Sequence, residues 1–499
     1  MVHGGGFSGG GLQLRREHAS DSALRPERSG RWDARGGGRG ACRDVLSRQE
    51  AHRGGGCHRL AAARLFCRVR RDAVRDARRE TLSVCEYVRP DCDRRGGVPC
   101  VHGAVGEGMR REDKGHCGEV EGIMIYVCFL FIFIAASFLD INKNRTAIKA
   151  VTTFYILSIA ICFIGLRYYT GADWSGYIKY FDNVDWSDKT YEFGYKALNI
   201  FSRSVVNDYH FCQFLATLIF CISIYRFYKK NSNYVFLSLF LAIVFYFSNL
   251  FMAQVRQSLA IAILLLGSNY LIENKWVKYT ACVFIATLFH ITAVFALVCL
   301  LLKVHFPKFL QILLVLFGFI LIRFPNITIQ FLLLLSNFIT GVYHDLIVTY
   351  LNSQKFGSGA ELNSGLYFYA KQLLALFIVL FYKPRSHLNT ITVNALIFCV
   401  FIHNASISFA MLDRLEPYIG FYAIIGWTHL FDIKFIKTDK NIFFMVFFIF
   451  IVFFSIPFCR ERTHHGISKL TGRDDQYQYL PYYNVFFHPE GAHRKDWCE

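Results

Sequence analysis

Met124-Ile125-Tyr126-Val127-Cys128-Phe129-Leu130-Phe131-Ile132-Phe133-Ile134-Ala135-Ala136-Ser137-Phe138-Leu139 is an uncharged apolar run, and the chain changes character where it begins. A helix drawn through it has no polar face, so it suits hydrocarbon on every side rather than one wall of a soluble core. Residues 1–123 hold 23 Arg, one Lys, 22 Gly and two of the 50 Phe, whereas residues 124–499 hold 12 Arg, 19 Lys and the other 48 Phe. The first segment lacks the apolar residues for a core. The second is a series of runs long enough to cross a bilayer.

The net charge of +18 averages these two unlike parts. Basic runs such as Arg68–Arg79 are broken by acids and by Gly36–Gly38 and Gly54–Gly56, with no basic-aromatic alternation, so nucleic acid is not an expected partner. The segment has no apolar signal core, and its 17 acids do not suit a transit peptide. Its cysteines (Cys42, Cys57, Cys67, Cys85, Cys92, Cys100, Cys117) form no close C-x2-4-C pair of the zinc kind. Residues 1–123 therefore read as a disordered extension or a mis-assigned start, with Met124 as the expected beginning of the functional chain.

From residue 124 onward, spans are expected near 124–139, 150–166, 209–228, 234–249, 250–272, 279–302, 306–324, 366–382, 390–411, 415–431 and 441–458. Residues 326–340 are a twelfth span or a re-entrant piece. Backbone groups in lipid need partners within the chain, so the fold class is an all-α polytopic membrane protein of about 11–12 transmembrane helices. Its parts are a bundle over 124–458, external loops 167–208 and 341–365, and an external tail 459–499.

Short-loop basic residues orient the bundle. Lys143, Arg145 and Lys149, then Arg226, Lys229 and Lys230, Lys275 and Lys278, Lys383 and Arg385, and Lys434, Lys437 and Lys440 mark the cytoplasmic side if 326–340 crosses. Lys303 and Lys308 violate that arrangement.

Polar groups against this background are candidates for function, because charge at membrane depth is costly. One cluster is Gly165-Leu166-Arg167-Tyr168-Tyr169-Thr170-Gly171-Ala172-Asp173-Trp174-Ser175-Gly176-Tyr177 at the exit of the second span, followed by Tyr191-Glu192-Phe193-Gly194-Tyr195. An interfacial aromatic belt with a snorkelling Arg explains the first equally well. Asn249, Ala253, Arg256 and Ala260 are expected on one helical face. His290 is expected mid-span, where hydrogen bonding to a neighbouring helix is an ordinary alternative to function. Asp413, Arg414 and Glu416 precede Pro417, as paired charges at a helix start also would. No P-loop, H-E-x-x-H or G-x-S-x-G occurs in 124–499, so ATP-driven transport and serine or zinc hydrolysis have no support, and nothing in the sequence requires a cofactor or metal.

In order along the chain, Gly165–Tyr177, Tyr191–Tyr195, Val255-Arg256-Gln257-Ser258-Leu259-Ala260, Leu288-Phe289-His290-Ile291-Thr292-Ala293, Leu412–Tyr418 and Leu480-Pro481-Tyr482-Tyr483-Asn484 resemble the EpsG family. That family belongs to bacterial exopolysaccharide, capsule and O-antigen clusters and is similar to Wzy-type polymerases. The resemblance covers about residues 124–490 and implies polymerisation of undecaprenyl-diphosphate-linked oligosaccharide repeat units at the outer face of the bacterial inner membrane. It implies a lipid-linked glycan as substrate, with a chain-length regulator and a flippase as further partners. Under it Arg167, Arg256 and Arg414 are expected to contact diphosphate, and Asp173 and then His290 to act as base. Glu192, Trp174 and Tyr482 are expected to contact sugar. The competing classes are a lipid-linked-oligosaccharide flippase, expected to show internal repeats, and a membrane acyltransferase acting on the glycan.

Overall fold

The apolar runs form helices, which satisfy the backbone within each run. The protein is described here from a computed structural model, which covers residues 124–141, 146–171, 173–324, 326–337, 349, 366–463 and 482–486. Expectations for residues 1–123, for most of loop 341–365 and for the tail beyond 463 apart from 482–486 lie outside the described residues.

The helices are α1 (Met124–Asp140), α2 (Thr146–Gly165), α3 (Trp174–Asn183), α4 (Phe193–Val205), α5 (Tyr209–Asn231), α6 (Val235–Phe251), α7 (Val255–Leu266) and α8 (Ser268–Ile272). They continue as α9 (Trp276–Thr287), α10 (Ile291–Lys303), α11 (Lys308–Arg323), α12 (Asn326–Ser336), α13 (Leu366–Phe381), α14 (His387–Ser406), α15 (Pro417–Thr428), α16 (Lys434–Thr438) and α17 (Lys440–Thr463). Sheet among the described residues is one short antiparallel pair, β1 (Arg167–Tyr168) with β2 (Tyr483–Asn484), in register Arg167 to Asn484. It ties a tail segment to the loop leaving α2.

Four helices are by themselves long and apolar enough to cross a membrane: α2, α5, α14 and the Lys440–Arg460 part of α17. Shorter apolar helices stand at α1, α6, α7, α10 and α13, and α11 with α12 is a pair bent at a break. The outer helices make the environment plain. Only 22% of the most apolar stretch of α2 and 28% of that of α17 is buried, against 61% for α14. Phe154, Phe309 and Phe448 stand 68%, 76% and 61% exposed. Apolar faces this continuous are not left in water. The chain is an all-helical, multi-pass membrane protein.

Two sequence expectations change here. The first concerns 279–302, which is not one span: the chain turns at His290, and α9 and α10 pack as an antiparallel hairpin. Tyr279 Oη donates to the Ala296 carbonyl at 3.2 Å, and Lys303 Nζ donates to Asn274 Oδ1 at 2.8 Å, so both ends of the hairpin return to one level. Lys308 Nζ reaches the Tyr382 carbonyl at 3.0 Å. Lys303 and Lys308 thus join Lys275 and Lys383 at one end of the bundle, and their apparent violation disappears. No crossing by 326–340 is needed, because α12 turns aside from α11 by 106°.

The second correction concerns Arg256. A π turn at Phe247–Phe251 ends α6, and a fresh helix starts at Val255. Asn249, Ala253, Arg256 and Ala260 therefore do not line one continuous helical face. The break instead sets Arg256 in the first turn of α7. Ser258 Oγ donates to the Leu250 carbonyl at 2.5 Å, satisfying a group the break would strand.

Polar clasps hold the interior where apolar burial gives little drive between helices. Asn404 Nδ2 on α14 donates to Gln372 Oε1 on α13 at 2.7 Å and to the Gly318 carbonyl on α11 at 3.3 Å. Asn394 Nδ2 donates to the Leu302 and Val304 carbonyls, both at 2.8 Å, closing the end of α10 against α14.

Candidate functional site

Two chain breaks and one loop meet at the end of the bundle opposite the basic loops. Gly194 brings them together. Its amide donates to the Leu288 carbonyl at 2.6 Å, and a Cβ at that position would press on the same carbonyl and on the Phe289 ring. Only glycine lets the loop approach the α9–α10 turn so closely. Gly171 plays the equivalent part for the first cluster: its φ is +110°, and a Cβ would collide with the Met252 carbonyl in the break before α7.

This approach lays Glu192 between Arg256 and His290. Arg256 Nη1 donates to Glu192 Oε2 at 2.8 Å. On the other oxygen, the Ile291 amide donates to Oε1 at 3.1 Å, and His290 Nδ1 lies 3.3 Å away. Glu192 thereby also caps the exposed amide end of α10. Burial opposes its charge, but His290, its own backbone amide and Arg256 outweigh this and hold the carboxyl at about 2. The three side chains are 16–23% exposed, sheltered yet reachable.

The guanidinium of Arg256 lies 4.1 Å from the centre of the Tyr191 ring. Its Nε is buried with no partner among the described residues. Burial and the charge of Asp173 push the Tyr177 phenol up to about 12, and the cation of Arg256 works against that rise. Tyr177 therefore remains a neutral donor beside the guanidinium.

The Leu412–Tyr418 segment forms the adjoining wall. Gln257 Nε2 donates to the Arg414 carbonyl at 2.6 Å, and Asn249 Nδ2 donates to Asp413 Oδ2 at 3.3 Å. Thr292 Oγ1 and Tyr418 Oη lie 2.8 Å apart, joining the first turn of α10 to α15. Arg414 is exposed at this wall.

The structure thus brings together Arg256, His290 and Glu192 from three separate stretches. His290 stands at the hairpin turn and not inside a span. Glu192, expected to contact sugar, has both oxygens taken by Arg256, His290 and the Ile291 amide. Asp173 is exposed at the start of α3, where its charge acts on Tyr177 and Tyr191.

Three other expected contacts lie inside the fold. Arg167 is 1% exposed, and its Nη1 and Nε donate to the Ile164 and Thr170 carbonyls at 2.6 and 3.1 Å. Trp174 is 2% exposed, with its ring 4.2 Å from Tyr169. Tyr482 stacks on Phe163 at 4.4 Å and donates to that residue's carbonyl at 2.5 Å. Sequence reading did not single out Tyr191, Tyr177, Gln257 or Tyr418 as site residues. Tyr191 and Tyr177 sit in the quoted motifs, but an aromatic face turned to a cation looks the same in sequence as one turned to lipid.

The motifs that build this site all fall inside one match: the EpsG family model covers residues 149–484. The chain belongs to the EpsG family. No curated protein and no solved structure matches it. Within this EpsG protein the matched region reaches from α2 to β2, so it includes the Arg256–Glu192–His290 group and the strand pair that holds the tail.

Proposed function

We propose that this EpsG protein polymerises undecaprenyl-diphosphate-linked oligosaccharide repeat units by glycosyl transfer at the outer face of the bacterial inner membrane. Membership of the family fits a polysaccharide polymerase. The observation that carries the chemistry is Glu192 bonded at once to Arg256 and His290 beside a bundle end free of the basic loops.

In the transfer, a hydroxyl oxygen of the acceptor repeat unit bonds to the anomeric carbon of the donor glycan. The bond from that carbon to the diphosphate oxygen breaks, and its electron pair leaves with undecaprenyl diphosphate. Arg256 is suited to the developing negative charge, since a guanidinium offers several donors in a fixed plane and this side chain is 23% exposed. The positive end of α7 adds to its field. Glu192 facing Nδ1 of His290 selects the tautomer with the proton there, which leaves Nε2 basic and able to take the hydroxyl proton.

In this reading Glu192 orients the base, and Arg414 and Asp173 act on substrate from the exposed rim. Arg167, Trp174 and Tyr482 hold the loop that carries the site. The basic loops face the cytoplasm, as positive-inside orientation requires.

The test uses purified protein in nanodiscs with lipid-linked repeat units. A ladder of longer glycans on lipid is the expected product. Unit movement across the bilayer without any ladder would overturn the reading in favour of a flippase.

A further inference from the structure

A second cluster lies on the far side of the Leu412–Tyr418 segment, and the transfer just described makes no use of it. Cys399 and His403 share one face of α14, four residues apart, while Asp413 and Glu416 flank the turn into α15. His403 Nδ1 stands 3.1 Å from Glu416 Oε2 and 3.9 Å from Asp413 Oδ1, and one ligand atom from each residue falls within 4.8 Å of the others. We propose that His403, Asp413 and Glu416 form a binding site for one divalent first-row metal ion of the Mn2+ or Zn2+ type.

Three features distinguish this cluster from an ordinary group of surface charges. The first is spacing: bonds of about 2.1 Å place donors roughly 3.0–3.5 Å apart around an ion. The His403–Glu416 distance of 3.1 Å is already in that range, while the 3.9 Å to Asp413 and the remaining pair, at most 4.8 Å, would close on binding. The second is that the remaining atom of each carboxylate is already held from outside. Cys399 Sγ donates to Glu416 Oε1 at 3.0 Å, and Asn249 Nδ2 to Asp413 Oδ2 at 3.3 Å. The His403 ring is fixed by stacking on Phe368 at 5.1 Å. Outer partners of this kind orient metal ligands.

The third is an orphaned buried group one helical turn from Glu416. Tyr246 is 4% exposed and its hydroxyl has no partner among the described residues. That hydroxyl lies against Gly420, one helical turn beyond Glu416, where a Cβ would displace it. Glu416 is the charge that acts on it most strongly.

The donor set names the class of ion. One imidazole with two carboxylates favours Mn2+ or Zn2+ over Ca2+, and a lone neighbouring thiol argues against a thiolate zinc knuckle. Lys371 is buried, with its nitrogen about 6 Å from the Phe245, Tyr367 and Phe368 ring centres, and is a cation that acts on both carboxylates. The metal site itself rests on this cluster's geometry and not on the polymerase reading.

The experiment titrates Mn2+ into chelator-treated full-length protein in nanodiscs, following free Mn2+ by electron paramagnetic resonance and bound Mn2+ by its nitrogen coupling. The expected result is one Mn2+ per chain with an imidazole nitrogen in the spectrum. His403→Gln should lose that coupling and weaken binding at least tenfold, and Asp413→Asn should weaken it with the coupling retained. Gel filtration and thermal midpoints confirm that each variant is folded, and the half-exposed Asp413 makes its variant the safer of the two. No stoichiometric binding by the unaltered protein, or unchanged affinity in both folded variants, overturns the proposal. Either result leaves the glycan ladder assay to judge the polymerase reading separately.

Discussion

Replacing Glu192 by Gln removes one charge and preserves the shape of the side chain. The native carboxyl is held at about 2 against an ordinary 4.5. At 1.36 kcal/mol per pH unit, this is a preference for the charged, folded form of about 3 kcal/mol. The sign follows from the depressed folded value: the contribution is complete above pH 4.5 and is lost as pH falls towards 2. Gln keeps an acceptor for the Ile291 amide but loses the charge that binds Arg256 and the selection of the His290 tautomer. Thermal midpoints measured from pH 7 to pH 3 should show the variant destabilised at neutral pH, with a shallower acid limb than the unaltered protein. Glycan ladders from lipid-linked repeat units should fall by about 10²–10⁴-fold, the contribution typical of a positioned general base. A Gln variant with a full ladder and an unchanged acid limb would refute the role given to this carboxylate.

Further predictions follow from individual residues. Arg256→Lys keeps the charge but loses the planar contact with Tyr191, and single-turnover assays should register a fall of about 10–100-fold without unfolding. In Gly194→Ala, pressure on the Leu288 carbonyl should separate the loop from His290 and abolish the ladder, and a normal ladder would show that the close approach is dispensable. Arg167→Ala should lower the thermal midpoint by the equivalent of about 2–4 kcal/mol, because the Ile164 and Thr170 carbonyls lose a buried charged donor, while donor-substrate KM changes little. Lys303→Cys and Lys275→Cys should react with an impermeant maleimide from the same side of the membrane. Labelling from opposite sides would restore a single span over 279–302.

How much of this was legible in the chain differs by element. Long uncharged runs such as 150–166 and 441–458 read correctly as helices, since composition alone requires them to hide their backbone in lipid. The hairpin at His290 was illegible for the same reason. Leu288 to Ala293 is as apolar as any span, so hydropathy passes through a reversal without a signal. The misplaced Lys303 and Lys308 were the trace that the reversal left. The π turn before α7 was likewise hidden inside an apolar run. For the site, the residue types Arg256, Glu192 and His290 stood out because charge is scarce here, whereas their grouping joins positions up to 98 apart in the chain.

The sequence by itself determined the class of molecule and its EpsG membership, because span length, charge placement and motif order are local properties. It also marked the residues too polar for their surroundings. Only the tertiary structure decided which of these lie together. It buried Arg167 and Trp174 as supports and placed Glu192 between a guanidinium and an imidazole. It also drew His403, absent from the sequence reading, to Asp413 and Glu416. Helix packing and two close glycine contacts set those distances, and neither leaves a mark in composition or periodicity.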